Sequence, residues 1–483
     1  MFEAKSLHFV GVGGIGMSGL ATLALEQGLK VSGSDICPNE ETAKLQKQGM
    51  KFYARHKREN VTAGMTLVLS TAIDDSNPEV IQGKKLELPI WHRSDILGFF
   101  INSIPQSLAV TGTHGKTTTT SILGWVLQAT EREPTIISGG IMKNFSSNIV
   151  IGRGEFLVAE ADESDRSFLK YRPEYAIVTN IDNDHLEKYS DFEDLKSCFL
   201  HFINNTRKHA FLNGDDPYIK ELLPRINVPY TLFGFSSENH IFARNFKFNA
   251  DGCRFIVQGL NASEILGHSP LFGRHNLYNI LATFAVCQYL KLEDNRISHA
   301  ISQFSGVERR FQTLLQKPEL RFISDYAHHP TEIEGTLKVA GDIYTNDSLR
   351  VVIEPHRYSR MHFCGSHICE VIKKQIGNLP IFILPIYGAS ETEHYGFESD
   401  SFFKLCCKRG LNAIYVTTES ELEIQIKNVL EKNSNPSSRP LIFLYLGAGQ
   451  VHQWAKNLAQ RYEHLQLQQD DCKSFFQKKI DLE

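Results

Sequence analysis

The sequence predicts an α/β protein of three successive domains. Short apolar runs alternate with helical patterns almost throughout, and such alternation gives layered folds with mostly parallel sheets. Two glycine-rich clusters, Gly11–Gly16 and Thr111–Thr120, each stand between a strand pattern and a helix pattern. Polar, proline-containing stretches at Ile101–Gln106 and Thr313–Glu319 break the pattern twice. They divide the 483 residues at roughly 1–105, 106–313 and 314–483, close to the usual size of about 150 residues per domain.

Buried strands are expected at Leu7–Val10, Val31–Ser34, Leu67–Ser70, Ser107–Val110, Phe156–Ala159 and Tyr175–Val178. Four more are expected at Arg321–Ser324, Leu349–Ile353, Ile381–Leu384 and Leu441–Tyr445. Helices are expected over Gly16–Gln27, Thr117–Ala129, Asn276–Leu290 and Thr331–Ala340. Asn433–Pro440 reads as a surface loop, and the last 20 or so residues as a polar tail.

The composition is ordinary for a globular chain: 42% hydrophobic, 22% charged, net charge −4. That excludes a disordered or collagenous chain, and the lack of a basic surplus argues against a nucleic-acid partner. No apolar run approaches the ~18 residues of a membrane span, and no leader pattern opens the chain. The nine cysteines include no C-x-x-C pair, which fits reduced thiols in a cytoplasmic protein.

Gly11, Gly13 and Gly16 fit G-x-G-x-x-G, with Gly14 added, and Asp35 follows at the end of the next strand. Backbone amides and a helix N-terminus there would take a diphosphate, and the acid a ribose. The motif does not by itself separate NAD from a nucleotide sugar. In the second cluster, TGTHGKTTTT, the residues Gly115, Lys116 and Thr117 match the G-K-[ST] end of a phosphate-binding loop. Amides would cradle phosphate, Lys116 would supply a point charge, and the Thr117 hydroxyl would ligate Mg²⁺. Gly112 makes this a shortened variant, since Val110 stands where the first glycine belongs.

The run FLVAEADESD places Glu160, Asp162, Glu163 and Asp165 at a strand's carboxyl end. Glu160 is the expected Mg²⁺ ligand, and the other three read as solvated charges or helix caps. After the strand Tyr175–Val178 come Asn180, Asp182, Asp184 and His185. From spacing alone, His185 fits a site role and a structural role equally. His328 and His329 invite a metal reading, but no third ligand lies at metal spacing. Arg357 and Arg360 suit a carboxylate, which arginine grips in a bidentate manner.

Taken with TNIDNDHLEKY at Thr179–Tyr189, LNGDDP at Leu212–Pro217, GRHNLYN at Gly273–Asn279, GVERRF at Gly306–Phe311, DYAHHPTEI at Asp325–Ile333, PHRYSR at Pro355–Arg360 and Gly447–Gly449, the sequence resembles the Mur ligases, ATP-dependent amide-forming enzymes, up to about Gln460. The resemblance implies a Rossmann-like N-terminal domain for the UDP-sugar, a P-loop ATP-binding central domain, and a Rossmann-like C-terminal domain for the amino acid. The activity implied is ligation of L-alanine to the carboxylate of UDP-N-acetylmuramate through an acyl phosphate, with ATP and Mg²⁺, by a monomer or homodimer.

The resemblance also implies residue roles. Thr117 and Glu160 would hold one Mg²⁺ and His185 a second. Gly112, Thr113, His114, Gly115, Lys116, Thr117 and Thr118 would cradle ATP. Asn276 and Asn279 would serve adenine, and Arg310 and Asp325 the phosphates and ribose. The UDP-sugar would meet Gly11, Gly13, Gly14, Gly16, Asp35, His56, Ser70 and Arg93. Alanine would meet His328, Arg357 and Arg360. Three departures stand out: Glu354 where Gln is common, Gln450 where Asp is common, and Ala54–Arg55 before His56 where a Gly often sits.

Overall fold

The computed structural model describes residues 6–463 except 71, 185–187, 250, 261–262, 345–347, 390, 392 and 433–439. The expected loop 433–440 (all but Pro440) and the tail beyond 463 therefore lie outside the described residues. The chain forms two compact units, Met1–Lys247 with Cys253–Val307, and Phe248–Gly252 with Glu308–Glu483.

The first unit holds two sheets. In the first, β1 (Ser6–Val10), β2 (Lys30–Ser34), β3 (Lys51–Tyr53), β4 (Thr66–Leu69) and β5 (Ile90–His92) run in the order β3-β2-β1-β4-β5. Every pairing is parallel. Strand order reverses at β1, so the glycine turn after Val10 opens on the crevice where such sheets bind ligands.

The second sheet has ten strands. They are β6 (Gln106–Thr111), β7 (Thr135–Met142), β8 (Ser147–Val150), β9 (Phe156–Glu160), β10 (Tyr175–Val178), β11 (His209–Asn213), β12 (Tyr230–Gly234), β13 (Ile241–Asn249), β14 (Gly252–Gln258) and β15 (Glu264–Ser269), in the order β15-β14-β13-β12-β11-β10-β6-β9-β7-β8. The parallel centre is buried, as in β9, where four of five residues are inaccessible. Strands covered on both faces read as continuous apolar runs, which is why β6, β9 and β10 stand out in the sequence. Helix Lys116–Ala129 follows β6. Its four threonines are poor helix formers, but all are buried, and Ile122, Leu123, Val126 and Leu127 pack beside them. Tertiary packing outweighs propensity here.

The second unit carries β16 (Gln312–Gln316), β17 (Leu320–Asp325), β18 (Leu349–Ile353), β19 (Ile381–Ile383), β20 (Ala413–Tyr415) and β21 (Leu441–Leu446), ordered β16-β17-β21-β18-β19-β20. Only β16 runs antiparallel. The expected break at Thr313–Glu319 is thus mostly an edge strand. Ile101–Gln106 spans the end of helix Arg93–Ser103 and the first residue of β6. Among the described residues no helix is long and apolar enough to cross a membrane.

Candidate functional site

β6 lies between β9 and β10. Parallel neighbours end side by side, so the loops after these three strands meet at one edge. The join is hydrogen-bonded: Ala161 N–H donates to Val110 O (2.8 Å), Thr179 N–H to Thr111 O (3.0 Å) and Thr113 N–H to Asn180 O (3.2 Å). The His114 N–H donates to Asn180 Oδ1 (2.9 Å), and the His114 carbonyl accepts from the Thr179 hydroxyl and the Asn180 amide. Thr113 Oγ1 accepts the Asp182 N–H at 2.8 Å, and His114 Nε2 lies 3.0 Å from Asp182 Oδ2. Gly115 sits at φ +84°, and a Cβ there would stand 2.6 Å from Asn279 Oδ1. Glycine is therefore required by both conformation and space.

The functional side chains converge on that loop. Lys116 Nζ donates to Gly112 O (2.8 Å), Thr113 O (3.3 Å) and the Glu163 carboxylate (2.9 Å). Burial works to lower the lysine's proton affinity, but Glu163, Asp162 and Glu160 outweigh it, and the ammonium is held well above its usual range. The Thr117 hydroxyl donates to Glu160 Oε2 at 2.9 Å, an atom that also accepts the Gly139 N–H. Thr118 is buried. Asn279 accepts from the Thr119 hydroxyl (3.0 Å) and donates to Asn276 Oδ1 (3.2 Å), while Asn276 donates to Phe272 O. The two asparagines thus form one pair beneath the loop. His185 lies outside the described residues.

Glu163 corrects the sequence reading. It is buried and paired with Lys116, not solvated. Asp162 and Asp165 are exposed, as the solvated reading expects, and accept the N–H groups of Ser164 and Ser167 in local turns; neither is the N-cap of the short helix Ser167–Lys170.

At the first glycine turn, Asp35 Oδ2 accepts the Gly13 N–H at 2.8 Å and Oδ1 accepts the Cys37 N–H at 2.9 Å. The acid is folded onto the loop itself. Gly14 precedes helix Ile15–Glu26 as its N-cap. A Cβ on Gly16 would stand 3.3 Å from Arg93 Nε, so the glycine lets a guanidinium lie against the turn. Ser70 packs against Gly11, and its N–H donates to Val10 O.

His56 Nδ1 lies 2.8 Å from Ser34 Oγ and 3.2 Å from Glu79 Oε2. Glu79 was not among the expected site residues, and no local motif marks it. It is fully buried, accepts from Ser34 (2.5 Å) and Asn60 (2.6 Å), and lies 3.4 Å from His8 Nε2. Burial raises its pKa, but hydrogen bonds from His8, Ser34 and Asn60 prevail and hold it down to about 2.

In the second unit β21 lies between β17 and β18, so the loops beginning at Asp325, Gly447 and Glu354 are neighbours. Asp325 accepts the N–H groups of Phe311 (2.7 Å) and Ala327 (2.8 Å) and the Thr336 hydroxyl (3.3 Å); burial nonetheless raises its pKa. Arg310 lies 3.9 Å from Glu332 and over the Tyr326 ring. His328 Nδ1 donates to Tyr326 O at 2.8 Å. Arg357 takes φ +68° just before helix Tyr358–Ile376, and buried Arg360 donates to His356 Nδ1 at 3.1 Å. Burial first, then His328, Arg360 and Arg357, push His356 down to about 3, which keeps that acceptor nitrogen bare. His356 was missed because its role depends on contacts, not spacing.

Two family models match: the Mur ligase family catalytic domain over residues 6–104 and the Mur ligase middle domain over residues 110–287. The chain is 34% identical over 465 residues to the UDP-N-acetylmuramate–L-alanine ligase of Hydrogenobaculum sp., covering 95% of this chain and 100% of that protein. It is 36% identical over 456 residues to the enzyme of the same name from Aquifex aeolicus, covering 94% and 96%. The crystal structure of a UDP-N-acetylmuramate-alanine ligase from Thermotoga maritima superposes with a TM-score of 0.74 at 27% identity, covering 95% of this chain and 99% of that one. With the loop geometry after β6, β9 and β10, these matches establish that the chain belongs to the Mur ligase family.

Proposed function

We propose that the protein joins L-alanine to the carboxylate of UDP-N-acetylmuramate at the expense of ATP, a step of peptidoglycan precursor synthesis. The supporting observation is the Thr111–Thr117 loop with Lys116 at its tip and the Thr117–Glu160 contact beside it. The two full-length relatives carry that activity in their names. We read the three sheets as three domains, 1–105 for the UDP-sugar, 106–313 for ATP and 314–483 for the amino acid. The protein acts in the cytoplasm as a monomer or homodimer, with no nucleic-acid or membrane partner.

A carboxylate is a poor electrophile. Its oxygen attacks the γ-phosphorus of ATP, ADP leaves, and an acyl phosphate results. The alanine amine then attacks the acyl carbon, and phosphate departs. Lys116 and the amides of the loop offset the repulsion between the two anions and the charge on the transferring group. Thr117 Oγ1 and Glu160 Oε2 are hard oxygen donors 2.9 Å apart, a set that fits Mg²⁺; His185 is the further proposed ligand. Bound there, the ion supplies charge neutralisation at the phosphates. Asn276 and Asn279 serve the base, and Arg310 and Asp325 the phosphates and ribose. Gly11, Gly13, Gly14, Gly16, Asp35, His56, Ser70 and Arg93 take the UDP-sugar. Arg357 and Arg360, with His328, grip the alanine carboxylate.

The test mixes UDP-N-acetylmuramate, ATP, Mg²⁺ and L-alanine and weighs the product by mass spectrometry. An alanyl adduct with stoichiometric orthophosphate is expected. Absence of both overturns the reading, and so does full turnover by Lys116→Ala.

A further inference from the structure

We propose that Glu163 is a positioning residue that sets the nucleotide affinity of the loop by competing with phosphate for Lys116. The inference rests on reading the loop as a phosphate cradle. An ammonium has three donors, and those of Lys116 reach Gly112 O, Thr113 O and the Glu163 carboxylate. The pair is enclosed, with the Lys116 side chain 13% and the Glu163 side chain 2% exposed. The main chain of Glu163 is fixed as well: its carbonyl accepts the Tyr189 hydroxyl and the Arg166 N–H.

Two consequences follow from this geometry. Phosphate oxygens gain a hydrogen bond from Lys116 only by exchanging with one of its present acceptors. Of the three, the loop carbonyls belong to the cradle itself, so the carboxylate is the partner to be exchanged. A phosphate at that distance from Nζ also stands within a few ångströms of Glu163, where like charges repel with little screening because the side chains are enclosed. Glu163 therefore keeps the lysine aimed across the loop while weakening its hold on nucleotide, which favours release of ADP.

The test is calorimetric binding of ADP and AMP, with Mg²⁺, to the full chain and to Glu163→Gln, Glu163→Asp and Lys116→Ala. Glu163→Gln is expected to bind ADP at least about fivefold more tightly and AMP unchanged, because Lys116 serves phosphates beyond the first. Glu163→Asp, which keeps the charge, is expected within about twofold of the parent. An E163Q protein with a parental unfolding midpoint but unchanged or weaker ADP binding overturns the inference, as does equal tightening of AMP. A Lys116→Ala protein that binds ADP as the parent does overturns the cradle reading instead; one that loses at least tenfold upholds it whatever Glu163→Gln shows.

Discussion

The hydroxyl of Thr117 donates to Glu160 Oε2 across 2.9 Å, joining the first turn of the helix after β6 to the tip of β9. Register sets this contact, because Val110 pairs with Glu160 in the parallel ladder. In the proposed reaction the two oxygens serve one cation, so removing either should cost activity without unfolding the chain. Glu160→Gln is expected to lower turnover by about 10²–10³-fold, the scale of a lost electrostatic stabiliser. It should also raise the Mg²⁺ concentration for half-maximal rate. Orthophosphate release at varied Mg²⁺ checks both.

Glu79 predicts how stability depends on acidity. In the folded protein its carboxylate takes up a proton only around pH 2, against an ordinary value of 4.5. The folded state therefore binds fewer protons than the unfolded one between those values. Its contribution is complete above pH 4.5 and fades as pH falls toward 2. A shift of that size corresponds to about 3 kcal/mol at neutral pH. Glu79→Gln should lower the urea midpoint strongly at pH 7 and by less at pH 3. An equal loss at both would show that the charge is not the source.

Much of this was legible in the sequence because the central strands are covered on both faces. β1, β4, β9, β10 and β21 appear as apolar runs, and each strand expected from such a run is present within a residue or two of its predicted ends. Most strands that escaped notice are mixed or exposed, but β11 is buried throughout and was passed over, its apolar run being only Ala210–Leu212 between His209 and Asn213. β13 is buried only at Ile241 and Ala243, and β8 is only half-buried throughout. The partners of Lys116 and Thr117 lie 47 and 43 residues away along the chain. Glu160 was found because a strand tip has a fixed place beside the loop. Glu163 was misread because burial of one acid in a run of four depends on tertiary packing. Glu79 and His356 carry no motif at all.

The unusual pair Glu354 and Gln450 becomes intelligible together. Gln450 precedes the helix that runs over 451–463, and glutamine is a poor N-cap. Glu354 instead reaches across from the end of β18 and accepts the N–H groups of Gln450 (2.9 Å) and Val451 (3.1 Å). One carboxylate serves that helix end. Gln450→Asp should therefore place two like charges at one N-terminus and cost about 1–2 kcal/mol at pH 7. The double variant Glu354→Gln/Gln450→Asp should recover most of that loss. Urea unfolding of the four proteins in the cycle gives the coupling, and strict additivity would show that the two positions do not share a role.

Arg360 offers the sharpest test of how the amino acid is held. Its guanidinium is buried and donates to His356 Nδ1. A lysine keeps the charge but loses the planar fork. Arg360→Lys is expected to raise the KM for L-alanine by ten- to a hundredfold, with the KM for ATP within about twofold of the parent. In the proposed reaction the alanine methyl offers less discrimination than its carboxylate, since one methyl is worth only about 1–3 kcal/mol. Glycine and L-serine should therefore turn over at high concentration in the parent, and Arg360→Lys should weaken all three amino acids by a similar factor. A KM change confined to alanine would place Arg360 at the side chain and not at the carboxylate.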